Sequence, residues 1–465
     1  VPESAFLESE SQVSESQVSS RDQITSQQEA TAGAPTNPRA RLFWLLRRVG
    51  WSVLLALGVF ILVNEVVQVS QQHTDFCQDY LAAQRLSQGI RVYLPLHCWS
   101  GFIPSPLQYD AHPPFSILLI WPLSLLPAIP AAMLWGLASL AAYLASGVML
   151  LGALGWRSPG SMTLFVWGSV FWQPLTIGIG EQNFGQLLLL LLVAGWLLER
   201  RGHEGWAGLL IGLAGLLKVW PAVLLLVALW RHQWRLFWSG AATLLLGTLL
   251  SLVVLGPGAY ADYLGPVRAT EVFWIPNGAS VSLVGAIMRL FTGYPEPTQP
   301  LPPLIHGLSQ GQAALLAEGL AGLFLLGILA LLWRRWRLAP RPAPAALSWG
   351  ILVTVLLLVF PLTWLWEVIP LLLPCAAIVL AQRQVGRPPR WWLVWLGFSL
   401  LPLALHRSWL LGMAGWLLHQ QAAGLAGLGV LLYGLPTYGL LLFTGAQLWL
   451  LWRAQSPAAP KEDSA

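Results

Sequence analysis

Residues 51–67 read WSVLLALGVFILVNEVV, an almost unbroken apolar run, and Arg39, Arg41, Arg47 and Arg48 stand just before it. Similar runs of about 20 residues recur as far as Trp452, and each is long enough to cross a hydrocarbon core about 30 Å thick. The composition agrees. Of the 465 residues, 56% are hydrophobic and 10% charged, against roughly 25% charged in soluble proteins. Lipid offers the backbone no hydrogen-bond partner, so a spanning chain must be helical or a closed barrel. The runs are continuous and lack the alternation of barrel strands. The expectation is an all-α polytopic membrane protein of about 10–12 transmembrane helices.

The net charge of +5 does not point to nucleic acid, because the arginines cluster at the ends of apolar runs, as the positive-inside rule requires. That rule makes residues 1–40, polar and poor in aromatics, a disordered cytoplasmic tail. It puts a first external loop at 68–113, inside a membrane domain of 41–455. Runs at roughly 114–127, 130–154, 161–177, 185–200 and 206–230 then read as five crossings. They bring Arg231 and Arg235 back to the cytoplasm and leave Arg200 and Arg201 outside, against the usual bias. The run 236–256 leads to a second external loop at 257–282. A helix over 312–333 ends at Arg334, Arg335 and Arg337, and residues 456–465 form a short tail. Many of the 27 tryptophans sit at run ends, as in an interfacial belt. Pro122, Pro174, Pro221, Pro370 and Pro374 fall inside runs, where they kink helices and free carbonyls.

A loop as long as 68–113 is where function is sought first. It contains HTDFCQDYLAAQRLSQGIRVY (73–93), in which Asp75 and Asp79 share a face if the segment is helical. A carboxylate at the interface can act as general base on a hydroxyl; the plainer reading is a solvated loop acid. Cys77 and Cys98 lie in the same loop, where oxidising conditions would allow a disulfide; two free thiols are the other reading. Lys218, inside the apolar LLKVWP, must face protein or water. A phosphate or an acidic partner could compensate it; the plainer reading is a snorkelling or structural lysine held by carbonyls freed near Pro221. Arg268, Arg289 and His112 are further phosphate candidates, each with an ordinary interfacial role as the alternative. Glu181, Gln182, Asn183 and Gln186 make GEQNFGQ more polar than a plain turn demands. Glu367, beside Trp364 and Trp366, could hold sugar hydroxyls or simply be solvated. No cluster has convincing metal spacing; Asp75 and Asp79 could bind a divalent cation, but one pair is thin evidence, so no metal ligand is assigned and no cofactor is expected. No phosphate-binding glycine loop follows a strand.

Several segments, taken in order, resemble a known family. They are Asp75, Phe76, Tyr80, Ala82, Ala83, Gly89 and Tyr93 of the first loop, AHPPFSILLIWPLSLLP (111–127), GEQNFGQLLLLLL (180–192), WAGLLIGLAGLLKVWP (206–221), NGASVSLVGAIMRL (277–290) and PLTWLWEVIPLLLP (361–374). The family is the polyprenol-phosphate-mannose-dependent α-mannosyltransferases and their bacterial relatives, membrane glycosyltransferases of the GT-C fold. Two departures stand out: Asp79 replaces a second aromatic, and TWLWEV (363–368) replaces a Ser-Trp-Glu-His element.

The resemblance implies a GT-C-type helix bundle in the plasma membrane, working at its external face. The implied reaction is an inverting transfer from a polyprenyl-phosphate sugar to a lipid or glycan acceptor, with Asp75 as base and mannose as the family's best-known sugar. Asp79, Tyr80, His112, Gln182, Asn183, Lys218, Arg268, Asn277, Arg289 and Glu367 become candidate substrate-binding residues. The competing reading is a transporter or flippase of lipid-linked sugars, which also uses broken helices. An inactive envelope scaffold is the third.

Overall fold

The computed structural model describes residues 37–70, 75–96, 98, 109–267, 272–293, 302–338, 345–386, 388–405, 412–413 and 428–455. The C-terminal tail, Arg268 and most of the N-terminal tail lie outside them. Two units are distinguished, Val1–Leu57 and Gly58–Ala465. The described part of the first is helical, with Arg48 stacked 4.1 Å over the Trp44 ring. The site lies entirely in the second.

Among the described residues everything regular is helical, apart from one isolated bridge between Ser280 and Trp364. The chain begins with α1 (Pro38–Val69), α2 (Phe76–Ser87), α3 (Pro114–Ile120), α4 (Ala128–Ala153), α5 (Pro159–Val170) and α6 (Gln173–Glu181). It continues with α7 (Gly185–Arg200), α8 (Glu204–Leu217), α9 (Val223–Trp230), α10 (Trp234–Leu255), α11 (Pro257–Asp262) and α12 (Leu283–Thr292). The remainder is α13 (Gln310–Leu338), α14 (Ala345–Val359), α15 (Leu372–Val385), α16 (Arg390–Ala404), α17 (Leu428–Tyr433) and α18 (Leu435–Gln455). Among the described residues five helices are long and apolar enough to cross a membrane, and α5 with α6, bent by 67°, makes a sixth candidate. The protein is therefore an all-α polytopic membrane protein. Five further apolar pieces are only 10–17 residues long, as where proline and glycine divide runs that look continuous in sequence.

Two of these divisions change the threading. The run 114–127 is not a simple crossing. His112, just ahead of α3, is bound to Asp79 of α2, and Leu126, beyond the 3₁₀ turn Trp121–Leu125, accepts a hydrogen bond from Tyr80 of α2 at 2.8 Å. Both ends of the run thus stay beside α2. The run 206–230 breaks at Lys218, whose backbone is extended (φ −140°, ψ 135°), and Pro221 follows. Here α8 runs parallel to α10: Gly205 O accepts from Ser239 Oγ at 2.6 Å, and further along Gly247 faces Leu216. Since Arg231 Nη1 reaches Glu199 Oε1 at 3.1 Å and Gln233 reaches the same oxygen at 2.7 Å, α8 and α9 form a hairpin that returns to where it began. Arg200, Arg201 and Arg231 therefore lie at one end of the bundle. The expected separation of Arg200 and Arg201 from Arg231 is corrected, and with it the apparent exception to the charge bias. Arg383, bound to Leu154 O at 2.5 Å, ties α15 to the first residue after α4.

The α8–α10 seam is made of small residues. A Cβ on Gly208 would lie 2.1 Å from Leu236 O, and one on Gly212 would lie 2.7 Å from Gly240 O. In lipid no hydrophobic force presses helices together, so such close backbone approach supplies the packing energy.

Candidate active site

At the end opposite Arg200 and Arg231, the first loop is braced from four directions. Cys77 and Cys98 form a disulfide, the pairing that the sequence left open against two free thiols. Arg85, in the last turn of α2, donates to Leu94 O and Pro95 O, both at 2.7 Å. Tyr80 donates to Leu126 O, and Trp121 Nε1 donates to Ser87 Oγ at 2.8 Å. Arg91 is ion-paired with Asp262, so the two long loops expected at 68–113 and 257–282 meet.

Asp75 stands at the head of α2, half-buried, with its Oδ1 accepting from Gln78 Nε2 at 3.2 Å. Burial raises its pKa well above the usual carboxylate value; Glu181, Glu367 and Asp79 add to the rise, and His112 opposes it. Asp79, one turn on, is buried, and its Oδ1 lies 2.9 Å from His112 Nδ1. Asp110 joins them: its Oδ1 accepts from the His112 backbone N–H at 2.9 Å and lies 3.4 Å from Nδ1. Tyr93 donates to His112 O at 2.6 Å, and the Phe184 ring sits edge-on to the imidazole at 4.8 Å. The residue is thus held through its backbone carbonyl and packed by Phe184 against its ring.

Asp79 and His112 do not shift in opposite senses, as an isolated ion pair would. Burial dominates at Asp79 and pushes it up to about 6, although His112 opposes it. Burial alone would lower His112, but the Asp79 charge and hydrogen bonds to Asp110 and Asp79 outweigh it and push the imidazole up to about 10. The geometry fits a cationic ring between two carboxylates.

Lys218 enters at the α8 break. Its Nζ donates to Glu367 Oε1 at 2.5 Å, and its charge bears on both Asp79 and His112. Glu367 opens the turn Leu365–Leu371, which is strapped to the 277–282 segment: Val281 N donates to Thr363 O at 2.8 Å and Leu365 N to Ala279 O at 2.9 Å. Beside it the Trp364 and Trp366 rings stack at 5.2 Å. The fold therefore brings Asp75, Asp79, His112, Lys218 and Glu367 together from four stretches of sequence.

The other candidates are placed differently. Gln182, in a left-handed conformation (φ 53°), donates to Ser70 Oγ at 2.8 Å and Ala132 O at 3.1 Å, while its own carbonyl accepts from Trp135 Nε1 at 2.7 Å. Those bonds fasten α1, α4 and α6 to one another. Asn183 caps Gly185 N through Oδ1, yet its Nδ2 is buried with no hydrogen-bond partner among the described residues, as are Gln186 Oε1 and Trp366 Nε1. Arg289 is fully buried and donates to the carbonyls of Asn277 (2.8 Å), Ser280 (3.1 Å) and Tyr433 (3.3 Å). Asn277 Oδ1 accepts from Ala279 N at 2.9 Å. In this structure Asn277 and Arg289 build the strap that carries Glu367. Asp110 was not among the candidates; its one signal is the acid two residues ahead of His112 in DAHPP.

Next to Lys218, Val219 lines a cavity of about 240 Å³ with Tyr263, Leu264, Ile275, Phe360 and Leu362, and Glu318 on its wall.

A cluster of buried carboxylates, a histidine and a lysine thus stands at one end of a helical membrane bundle. A family model, glycosyltransferase family 87, matches residues 111–361, more than half of the chain. The chain belongs to glycosyltransferase family 87 and is a transferase that uses a sugar donor and an acceptor in a membrane. Membership does not favour the carrier reading. Neither a curated protein nor a solved structure matches it.

Proposed function

We propose that this glycosyltransferase takes its sugar, with mannose the first candidate, from a polyprenyl-phosphate donor and passes it to a lipid or glycan acceptor with inversion, at the external face of the plasma membrane. Asp75 is the general base. The observation that carries this reading is the placement of Asp75 and Lys218. A carboxylate whose proton affinity burial has raised stands in one electrostatic cluster with a cation at a helix break. A base with a raised pKa is a stronger proton acceptor, and a cation at the break stabilises a departing phosphate.

In the step proposed, the acceptor hydroxyl oxygen forms a bond to the anomeric carbon from the face opposite the phosphate. Its proton passes to a carboxylate oxygen of Asp75. The bond from the anomeric carbon to the phosphate oxygen breaks, and polyprenyl phosphate leaves with the electron pair. Lys218, shared between Glu367 and the phosphate, stabilises the charge that develops. The apolar cavity beside Val219 suits the first part of an isoprenoid tail. Unsatisfied groups on Asn183, Gln186 and Trp366 suit hydroxyls of the sugar or acceptor. The disulfide supports an oxidising, external setting for the loop.

The test is donor class. Purified protein with a membrane lipid extract is offered labelled polyprenyl-phosphate sugars and, separately, labelled nucleotide sugars. Transfer from the lipid donor alone is expected. Transfer from a nucleotide sugar alone overturns the reading.

A further inference from the structure

We infer that Asp79, Asp110 and His112 form a binding site for one divalent transition-metal ion, Mn²⁺ or Zn²⁺. One ligand atom from each of the three lies within 4.8 Å of the others, and all three residues are buried. Two observed separations, 2.9 Å from His112 Nδ1 to Asp79 Oδ1 and 3.4 Å to Asp110 Oδ1, are close to the edge of a coordination polyhedron. Metal–ligand bonds of about 2.1 Å give a tetrahedral edge of about 3.4 Å, so small movements admit an ion.

A second observation points to a ligand. The other carboxylate oxygen of this group, Asp110 Oδ2, is fully buried and has no hydrogen-bond partner among the described residues. A carboxylate oxygen left so is costly, and a bound cation satisfies it. Two carboxylates and a neutral imidazole match the charge of a divalent ion. The mixture of one nitrogen and two oxygens suits Zn²⁺ or Mn²⁺ better than Mg²⁺ or Ca²⁺, which prefer oxygen alone. The ion would take the place of the proton that Nδ1 now shares with Asp79. The supporting layer is also present: the Tyr93 hydroxyl holds His112 O and Phe184 packs the ring, and such partners orient metal ligands.

Three protein ligands leave a coordination position open, as in catalytic rather than structural sites. Lys218 bears electrostatically on the same group, so the open position is suited to a phosphate oxygen. That last role rests on the donor proposed above; the ion site itself does not.

The experiment uses the full chain in nanodiscs, stripped with chelator and titrated with Mn²⁺ in the absence of any donor. Bound metal is measured by mass spectrometry, and the ion's surroundings by electron spin-echo spectroscopy. The expected result is one Mn²⁺ per chain with magnetic coupling to a single imidazole nitrogen. Asp110→Asn and His112→Gln should each weaken binding by more than the about 10–100-fold that outer-shell partners are worth, while Glu204→Gln binds as the parent does. Wild-type protein that retains no ion, or whose ion shows no nitrogen coupling, overturns the inference whether or not the variants fold. So does equal retention by Asp110→Asn. Because binding is read without transfer, a failed ion site leaves the donor assignment standing, and an inactive enzyme leaves the ion site standing.

Discussion

Lys218 Nζ and Glu367 Oε1 lie 2.5 Å apart although 149 residues separate them in the chain. The pair joins the tip of the α8–α9 hairpin to the turn before α15, and both side chains are about nine-tenths buried. Removing one partner leaves the other charge uncompensated in a poorly solvated place. Glu367→Gln should therefore lower unfolding stability by about 3–5 kcal/mol, read as a fall in the thermal midpoint in detergent. The double variant Lys218→Met, Glu367→Leu should recover much of it. A single variant as stable as the parent would show the pair to be solvated.

Lys218 also carries a kinetic prediction. Lys218→Met in the Glu367→Leu background should lower kcat by about 10²–10³-fold, the usual worth of one group that stabilises transition-state charge. Unchanged turnover would remove Lys218 from the reaction.

The first-loop disulfide closes a segment of 21 residues' separation. Loop entropy gives such a link about 3 kcal/mol. Reduction, or Cys98→Ser with Cys77→Ser, should lower the thermal midpoint and also slow transfer, since Cys77 is two residues beyond Asp75. Loss of stability with no effect on rate would separate the brace from the site.

The raised pKa of Asp75 gives a pH dependence of definite sign. The base works only when ionised, and its folded-state pKa lies above the ordinary carboxylate value. Activity should thus be full at high pH and lost as pH falls through that raised pKa, placing the acid limb of kcat well above the pH 3.8 typical of a carboxylate. A limb at or below pH 3.8 would mean that the titrating base is solvated.

At the helix seam, Gly208→Ala places a methyl against the Leu236 carbonyl. Overpacking of this kind costs about 1–3 kcal/mol. The same substitution at Gly205, where a Cβ meets nothing within 4 Å, should be tolerated.

Much of the fold is written locally. The run 51–67 and its successors are apolar over a length that only a membrane helix explains, and the segment after Asp75 is helical, with Asp75 at its head and Asp79 in its first turn. The α8–α9 hairpin is not visible in the same way, because a continuous apolar run has the same composition whether it crosses or turns back. Pro221 marked a kink, but only Glu199 with Arg231 shows the return. Asp110 escaped because its link to Asp79, made through the neighbouring His112 ring, joins the segment ahead of α3 to α2, and pairing at that distance is a tertiary fact. Arg289 shows the reverse case. An arginine beside an apolar helix looks free to bind a phosphate, whereas folding closes three carbonyls around it.

The central claim, that Asp75 is the base of a polyprenyl-phosphate-dependent transfer, is tested most directly by one comparison. Wild-type protein and Asp75→Asn, matched for thermal midpoint, are given the same labelled polyprenyl-phosphate mannose and lipid extract, and the rate of product formation is measured. The account predicts that the variant is slower by about 10²–10⁴-fold. Equal rates in the two proteins would contradict it.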